Sequence, residues 1–295
     1  MQATPLTAHT GVEITGLDTS KPFTPDQAQA IRALFQRHKL IVVRRPELSG
    51  AEQVRLVETL APLAREGDGT SDATYVSTRP NVYVTGRGAI LMHADYNFTP
   101  HGQIQVISLY ATVLEAPSQT WFTNQVNAAR RLPAALRERL RDREVFQVQE
   151  FIADTDATVR SRWSESSKRP REQVATAVHP AIGRHPVTGE DVLHVSEQVT
   201  SHFVGMGEAE SQPLFDELHP FQYGLDNTYV HDWKLGDLVI FDNVALQHGR
   251  PAIGGACERT LRRVVGNPVS TLEIMAHLRP DPARFIAPGA EAGGG

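Results

Sequence analysis

Hydrophobic positions in the N-terminal part of the chain switch between two periods. Val12–Gly16 forms a short β-prone run. Thr24-Pro25-Asp26-Gln27 then combines an N-cap threonine, a first-turn proline and a capping-box glutamine. Behind this start Ala28, Ile31, Phe35 and His38 recur at helical spacing, and Leu34 widens the stripe. The run Leu40-Ile41-Val42-Val43 is continuous and rich in β-branched residues, which predicts a strand buried on both faces. A second capping box, Ser49-Gly50-Ala51-Glu52, opens a helix carried by Val54, Val57 and Leu60.

From Asn81 onward strand signals dominate. Asn81–Thr85, Gln103–Thr112 and Leu238–Phe241 are β-rich, with frequent turn signals between them. A helical stretch from about Asn124 to Arg141 interrupts, with Pro133 as a kink or a second start. His185–Asp191 is a turn between two strands. Thr155–Arg171 is polar, with Arg and Ser clusters and one aromatic, Trp163, and reads as a surface loop or a lid. No repeat or long linker divides the chain, so residues 1–288 read as one domain and 289–295 as a frayed tail. The expected fold is mainly β, an irregular barrel or jelly roll with flanking helices.

Composition narrows the function. Hydrophobic residues at 40% and charged residues at 21% are ordinary for a folded domain of 295 residues. A net charge of −5 lacks the electrostatic footprint of a general nucleic-acid or anionic-membrane binder. The single cysteine, Cys257, excludes an internal disulfide and a Cys-rich zinc module, and is read as a small packing residue. No apolar run approaches the roughly 18 residues of a membrane span, and the N-terminus has no signal-peptide pattern. A cytoplasmic protein is therefore expected. With 12 histidines, imidazole-centred chemistry is the place to look.

His93-Ala94-Asp95 places two ligand-type side chains on one face of an extended segment. Alone it is weak: chance supplies one or two His-x-acid pairs, and a hydrogen-bonded His–Asp pair explains them. Far downstream, Gly236–His248 carries a strand that ends in Asp242-Asn243, with His248 following the turn. A His-x-Asp pair and one distant histidine form the ligand set of the facial triad, which leaves three positions of a six-coordinate Fe(II) open. Beyond His248 lies Arg259-Thr260-Leu261-Arg262-Arg263-Val264-Val265, on which Arg259 and Arg263 share one face. Two inward guanidiniums are costly unless they meet anions, whereas Arg262, on the other face, reads as part of a solvated edge.

On these residues the chain resembles the taurine/2,4-dichlorophenoxyacetate dioxygenase family of Fe(II)- and 2-oxoglutarate-dependent oxygenases. The resemblance covers the opening Gly11–Asp18, the His93/Asp95 pair, the His185–Gly189 turn, and Trp233–Asp237 leading into the Phe-Asp-Asn strand and His248. It implies a double-stranded β-helix (jelly-roll, cupin-like) core. It implies that His93, Asp95 and His248 bind iron, and that Thr120 and Arg259 hold 2-oxoglutarate. It also implies that Arg263 touches the other end of the co-substrate or an anionic substrate. The implied cofactors are Fe(II), 2-oxoglutarate and O2, with succinate and CO2 as products. An intact Asp95 favours hydroxylation over halogenation, while desaturation, cyclisation and C–N cleavage stay open.

Three stretches depart from the family pattern. Pro117–Phe122 replaces the usual glycine-rich element around Thr120, and Val195–Thr200 brings Val199 where relatives carry an aromatic. Tyr96–His101 is unusually polar; Tyr96 and Asn97 are candidate substrate contacts, Tyr96 being equally a packed aromatic, and His101 is read as a surface residue. Arg263 and Arg250 suggest a small anionic or amino-acid-like substrate. No nucleic acid or membrane partner is expected, and a homo-oligomer is possible. Two other classes fit parts of the pattern: a zinc metallohydrolase on the same three ligands, and a non-catalytic sensor on the same barrel.

Overall fold

The Leu40–Arg44 strand runs through the middle of a nine-stranded sheet, which is why its first four residues are all buried. It pairs in parallel with Val12–Thr15 and antiparallel with Asp237–Asp242, in the register Leu40 to Phe241 and Arg44 to Asp237. Asp237–Asp242 pairs in turn with Val106–Leu114, which pairs with Arg259–Gly266. The computed structural model describes residues 1–45, 47–66, 69–79, 84–99, 104–148 and 174–274. The proposed lid at 155–171 with Trp163, His101 and the tail at 289–295 lie outside the described residues.

Alternation of side chains divides the sheet's two faces between two cores. Ile41, Val43, Leu238, Ile240 and Val264 pack with Ile31, Phe35, Leu56 and Val57 of the helices Pro25–His38 and Gly50–Leu60. Val42, Ile107, Val239, Phe241 and Val265 face the other way, against Phe122 and Leu246. Those two residues belong to a second sheet of four strands, ordered Thr228–Asp232, Gln119–Asn124, Leu246–Arg250 and Ile90–His93. The protein is thus mainly β, two sheets packed face to face with helices on the outer face of the larger one.

The local forecasts stand up where turn and cap chemistry is explicit. Both capping boxes form, at Thr24 with Gln27 and at Ser49 with Glu52. Pro133 separates two helices, Gln125–Arg131 and Ala134–Leu140, and so marks a second start. Ile182–Arg184 and Asp191–Leu193 pair across the expected turn, where Gly189 takes φ +69°. The helix Glu208–Tyr223 is not foreseen, because Pro213 and Pro220 inside it break the helical signal. Among the described residues no helix is long and apolar enough to cross a membrane.

Arg262 requires a correction. Its strand is interior, paired on one side with Val106–Leu114 and on the other with Thr74–Ser77. The helix Gly50–Leu60 packs over this face, so Arg262 is half-buried on an interior strand and not part of a solvated edge. It donates to Gln53 Oε1 and to the Leu48 carbonyl, both at 2.7 Å, with its guanidinium 4.8 Å from the Tyr110 ring centre.

Candidate metal centre and co-substrate site

The three sequence-predicted ligands come together where the smaller sheet ends. His93 closes the strand Ile90–His93 and lies directly opposite His248 in the antiparallel register. Asp95 follows in a tight turn, in which Asn97 N–H donates to Ala94 O and Tyr96 takes φ +63°. One ligand atom from each of His93, Asp95 and His248 lies within 4.8 Å of the other two. His93 Nε2 is 3.2 Å and His248 Nε2 3.9 Å from Asp95 Oδ1.

The surroundings prepare each group for coordination. His93 Nδ1 hydrogen-bonds the Leu91 carbonyl at 2.8 Å; donating there, the ring keeps its Nε2 lone pair for a metal. Burial, followed by repulsion from His93, pushes His248 down to about 3, so its ring is neutral at physiological pH. Burial of Asp95 works against its ionisation, but the Arg263 guanidinium that touches it outweighs this and holds the carboxyl well below its usual range. Two imidazoles and a carboxylate suit a divalent ion with open positions.

Asn243 fixes the Asp95 turn, a role the sequence reading missed. Its Oδ1 accepts from the Asp95 N–H and its Nδ2 donates to the Asp95 carbonyl, each at 2.9 Å, while Nδ2 also reaches the Ile104 carbonyl. The Asp-Asn pair ending the central strand was the available signal. The residue before it, Asp242, takes a hydrogen bond from His185: His185 Nδ1 accepts the N–H groups of Val187 and Thr188, which leaves Nε2–H to donate to Asp242 Oδ2 at 2.9 Å.

Thr120 and Arg259 meet on the inward face. Thr120 is one turn of the pleat from Phe122, the residue opposite His248. Its Oγ1 accepts from Trp233 Nε1 at 2.9 Å and from Arg259 Nη2 at 3.3 Å, so its own proton is left to donate elsewhere. Arg259 is 4% exposed, and its Nε has no hydrogen-bond partner among the described residues. Burial, and then the charge of Arg250, push its guanidinium down to about 9, still cationic at neutral pH. A buried cation with an unused N–H, beside a hydroxyl with a free proton, fits a carboxylate.

The other predicted residues pair or pack within the protein. Arg263 does not offer a free guanidinium: its Nε and Nη2 donate to Glu66 at 2.7 and 3.1 Å, and its Nη1 reaches Asp95 Oδ2 at 2.7 Å. Tyr96 is packed in the inter-sheet core, and its hydroxyl donates to Glu66 Oε1 at 3.0 Å. Asn97 is 1% exposed, and its carbonyl pairs with His179 Nε2. Val199 packs with Phe98 and Ala175 in a small cluster, beside Gln198, whose N–H donates to the Met92 carbonyl. Arg250 is not aimed at a ligand either: it donates to the carbonyls of Gly86 and Gly88 at 2.8 and 2.7 Å and ties down that loop.

The model of the taurine catabolism dioxygenase TauD, TfdA family matches residues 2–265. The chain belongs to this family. Its members are 2-oxoglutarate-dependent dioxygenases that use Fe(II) and O2. Pentalenolactone F synthase from Streptomyces arenae is 27% identical over 179 residues, and the match spans 59% of this chain and 60% of the synthase. The chain thus matches less than two thirds of the length of that relative. An alpha-ketoglutarate-dependent sulfate ester dioxygenase from Pseudomonas putida is 28% identical over 270 residues, covering 88% of this chain and 87% of that one. Among solved structures, a taurine dioxygenase from Burkholderia xenovorans superposes with a TM-score of 0.71 at 23% identity over 90% of this chain and 91% of its own. The structure of AAD-2 with Mn(II) and N-oxalylglycine gives 0.74 at 19% identity, covering 90% and 96%. At these identities the likeness is one of fold.

Proposed function

We propose that this TauD/TfdA-family chain is an Fe(II)- and 2-oxoglutarate-dependent dioxygenase that oxidises a C–H bond of a small molecule, hydroxylation being the expected outcome. We read the two facing sheets as the halves of a double-stranded β-helix. His93, Asp95 and His248 would hold the iron. Arg259 and Thr120 would bind one carboxylate of 2-oxoglutarate by a guanidinium fork and a hydroxyl proton. Bound iron supplies the oxidative decarboxylation of 2-oxoglutarate to succinate and CO2 and the oxidation coupled to it. The protein's own contribution is geometric: Asn243 and the Leu91 carbonyl orient two ligands, and Trp233 and Phe122 keep the floor of the site dry.

The observation that carries this reading is the uncompensated cation. Arg259 is buried, charged and without a carboxylate partner among the described residues, on the same inner face as a complete two-histidine, one-carboxylate set. A zinc hydrolase on the same ligands gives Arg259 nothing to neutralise. The test is anaerobic titration with Fe(II) and then 2-oxoglutarate, followed by visible absorption. A weak charge-transfer band is expected in the native protein. It should vanish in His93→Ala, and in Arg259→Ala it should require about 100-fold more 2-oxoglutarate, the loss of a buried charged pair. A band unaffected by Arg259→Ala sinks the assignment of that residue.

A further inference from the structure

Arg263, Thr74 and Tyr96 together form an anion-binding site that the chain fills itself. Glu66 is 2% exposed and sits at its centre. Its Oε2 accepts from Arg263 Nε at 2.7 Å and from Thr74 Oγ1 at 3.0 Å. Its Oε1 accepts from Arg263 Nη2 at 3.1 Å and from the Tyr96 hydroxyl at 3.0 Å. Among the described residues four donors and no acceptor surround the two oxygens, a setting that suits a carboxylate. A guanidinium fork flanked by two hydroxyls is also what a sulfonate or carboxylate head group would require. The remaining nitrogen of Arg263, Nη1, touches the metal-ligand carboxylate of Asp95, so the site abuts the reaction centre.

We propose that Glu66 occupies, as a built-in ligand, the anion-binding site of Arg263, Thr74 and Tyr96, so that the substrate group beside Asp95 carries no negative charge. This rests on the dioxygenase reading and specifies its substrate class. Formal charges support it. Within the metal set, the two inward arginines of the Arg259–Gly266 strand, Glu66 and the co-substrate, the two positive charges of Fe(II) and those of Arg259 and Arg263 are matched by Asp95, Glu66 and dianionic 2-oxoglutarate; Arg250, whose charge is felt at Arg259, lies outside this set. Without Glu66 the same site would carry one uncompensated positive charge, a call for an anionic substrate. With it, an incoming anion meets a buried carboxylate on the Nε/Nη2 edge of Arg263 while Nη1 is held by Asp95, and like charges at that range repel strongly.

The experiment measures binding, not turnover. Native protein and Glu66→Gln, each loaded anaerobically with Fe(II) and 2-oxoglutarate so that Arg259 is engaged, are titrated calorimetrically with propanesulfonate and with its uncharged analogue ethyl methyl sulfone. Glutamine keeps an acceptor for Tyr96 or Thr74 but removes the charge. Propanesulfonate should bind Glu66→Gln at least about tenfold more tightly than it binds the native protein, the worth of one charge-assisted contact. The uncharged sulfone should show no such gain. Equal affinity for the sulfonate in both proteins, whether both bind it or neither does, overturns the proposal. Native protein binding propanesulfonate more tightly than the sulfone overturns it as well, with no need for the variant to fold. Failure of the dioxygenase reading is recognised separately, because the charge-transfer band would then be missing before any sulfonate is added.

Discussion

At the scale of single residues, the site depends on partners that carry no charge. Asn243 makes two reciprocal hydrogen bonds to the backbone of Asp95, so it sets the direction in which the carboxylate leaves the turn. Asn243→Ala should leave the fold intact and weaken metal binding by about tenfold to 100-fold, the usual worth of a group that orients a ligand. Competition with a metal-sensitive dye would measure this, and unchanged affinity would show that the Ala94–Asn97 turn holds Asp95 without help. The sequence pointed to the ligands but not to Asn243, since an Asp-Asn pair at a strand end also reads as ordinary turn chemistry. Arg263 illustrates the opposite limit. Its face and burial were legible, yet its counter-ion was not, because Glu66 lies 197 residues away.

At the scale of elements, the helix starts rest on short-range caps, and the one at Ser49 titrates. Glu52 accepts from the Ser49 N–H at 2.8 Å, from Ser49 Oγ at 2.7 Å and from Thr19 Oγ1 at 2.8 Å. These bonds, the Ser49 backbone N–H first, lower its carboxyl from 4.5 to about 2. A carboxyl lowered on folding adds stability above its unfolded value, and that contribution fades as pH falls toward the folded one. Ser49→Ala should therefore cost about 1 kcal/mol at neutral pH, the typical worth of an N-cap. The gap to the native protein should narrow as pH drops from about 4.5 toward 2. Urea melts of the two proteins at several pH values give the comparison; a gap independent of pH would mean that Glu52 is not part of the cap's stability. Both helix starts were readable in sequence because a capping box is complete within four residues. The helix Glu208–Tyr223 was not, because packing of Leu214, Phe215 and Leu218 against Phe203 and Leu140 overrides two interior prolines.

At the scale of the whole molecule, the proposed metal set and co-substrate site draw on both sheets. The ligands come from a strand end, a turn and the neighbouring strand of the small sheet, and Arg259 from the large one, so loading the site ties both sheets together. Mn(II), which binds such donors without turnover in air, and 2-oxoglutarate should each raise the melting temperature. Each tenfold rise in 2-oxoglutarate above its dissociation constant should add about 1.4 kcal/mol to stability. Arg259→Ala should keep the Mn(II) shift and lose most of the 2-oxoglutarate shift. Thermal melts across a concentration series test this, and an undiminished 2-oxoglutarate shift in the variant would place the co-substrate elsewhere.

What the sequence determined alone is what depends on short range or on fixed offsets. Helix starts, the doubly buried strand, the His93/Asp95 pair and the inward phase of Arg259 and Arg263 all follow from period and spacing, which any fold that keeps the strand must respect. What only the tertiary structure decided is who answers each buried charge. Periodicity can say that a guanidinium points inward, but electrostatic pairing acts through space between segments the chain brings together last. So Arg259 meets no carboxylate among the described residues, while Arg263, four residues on along the same face, is closed by Glu66 from within.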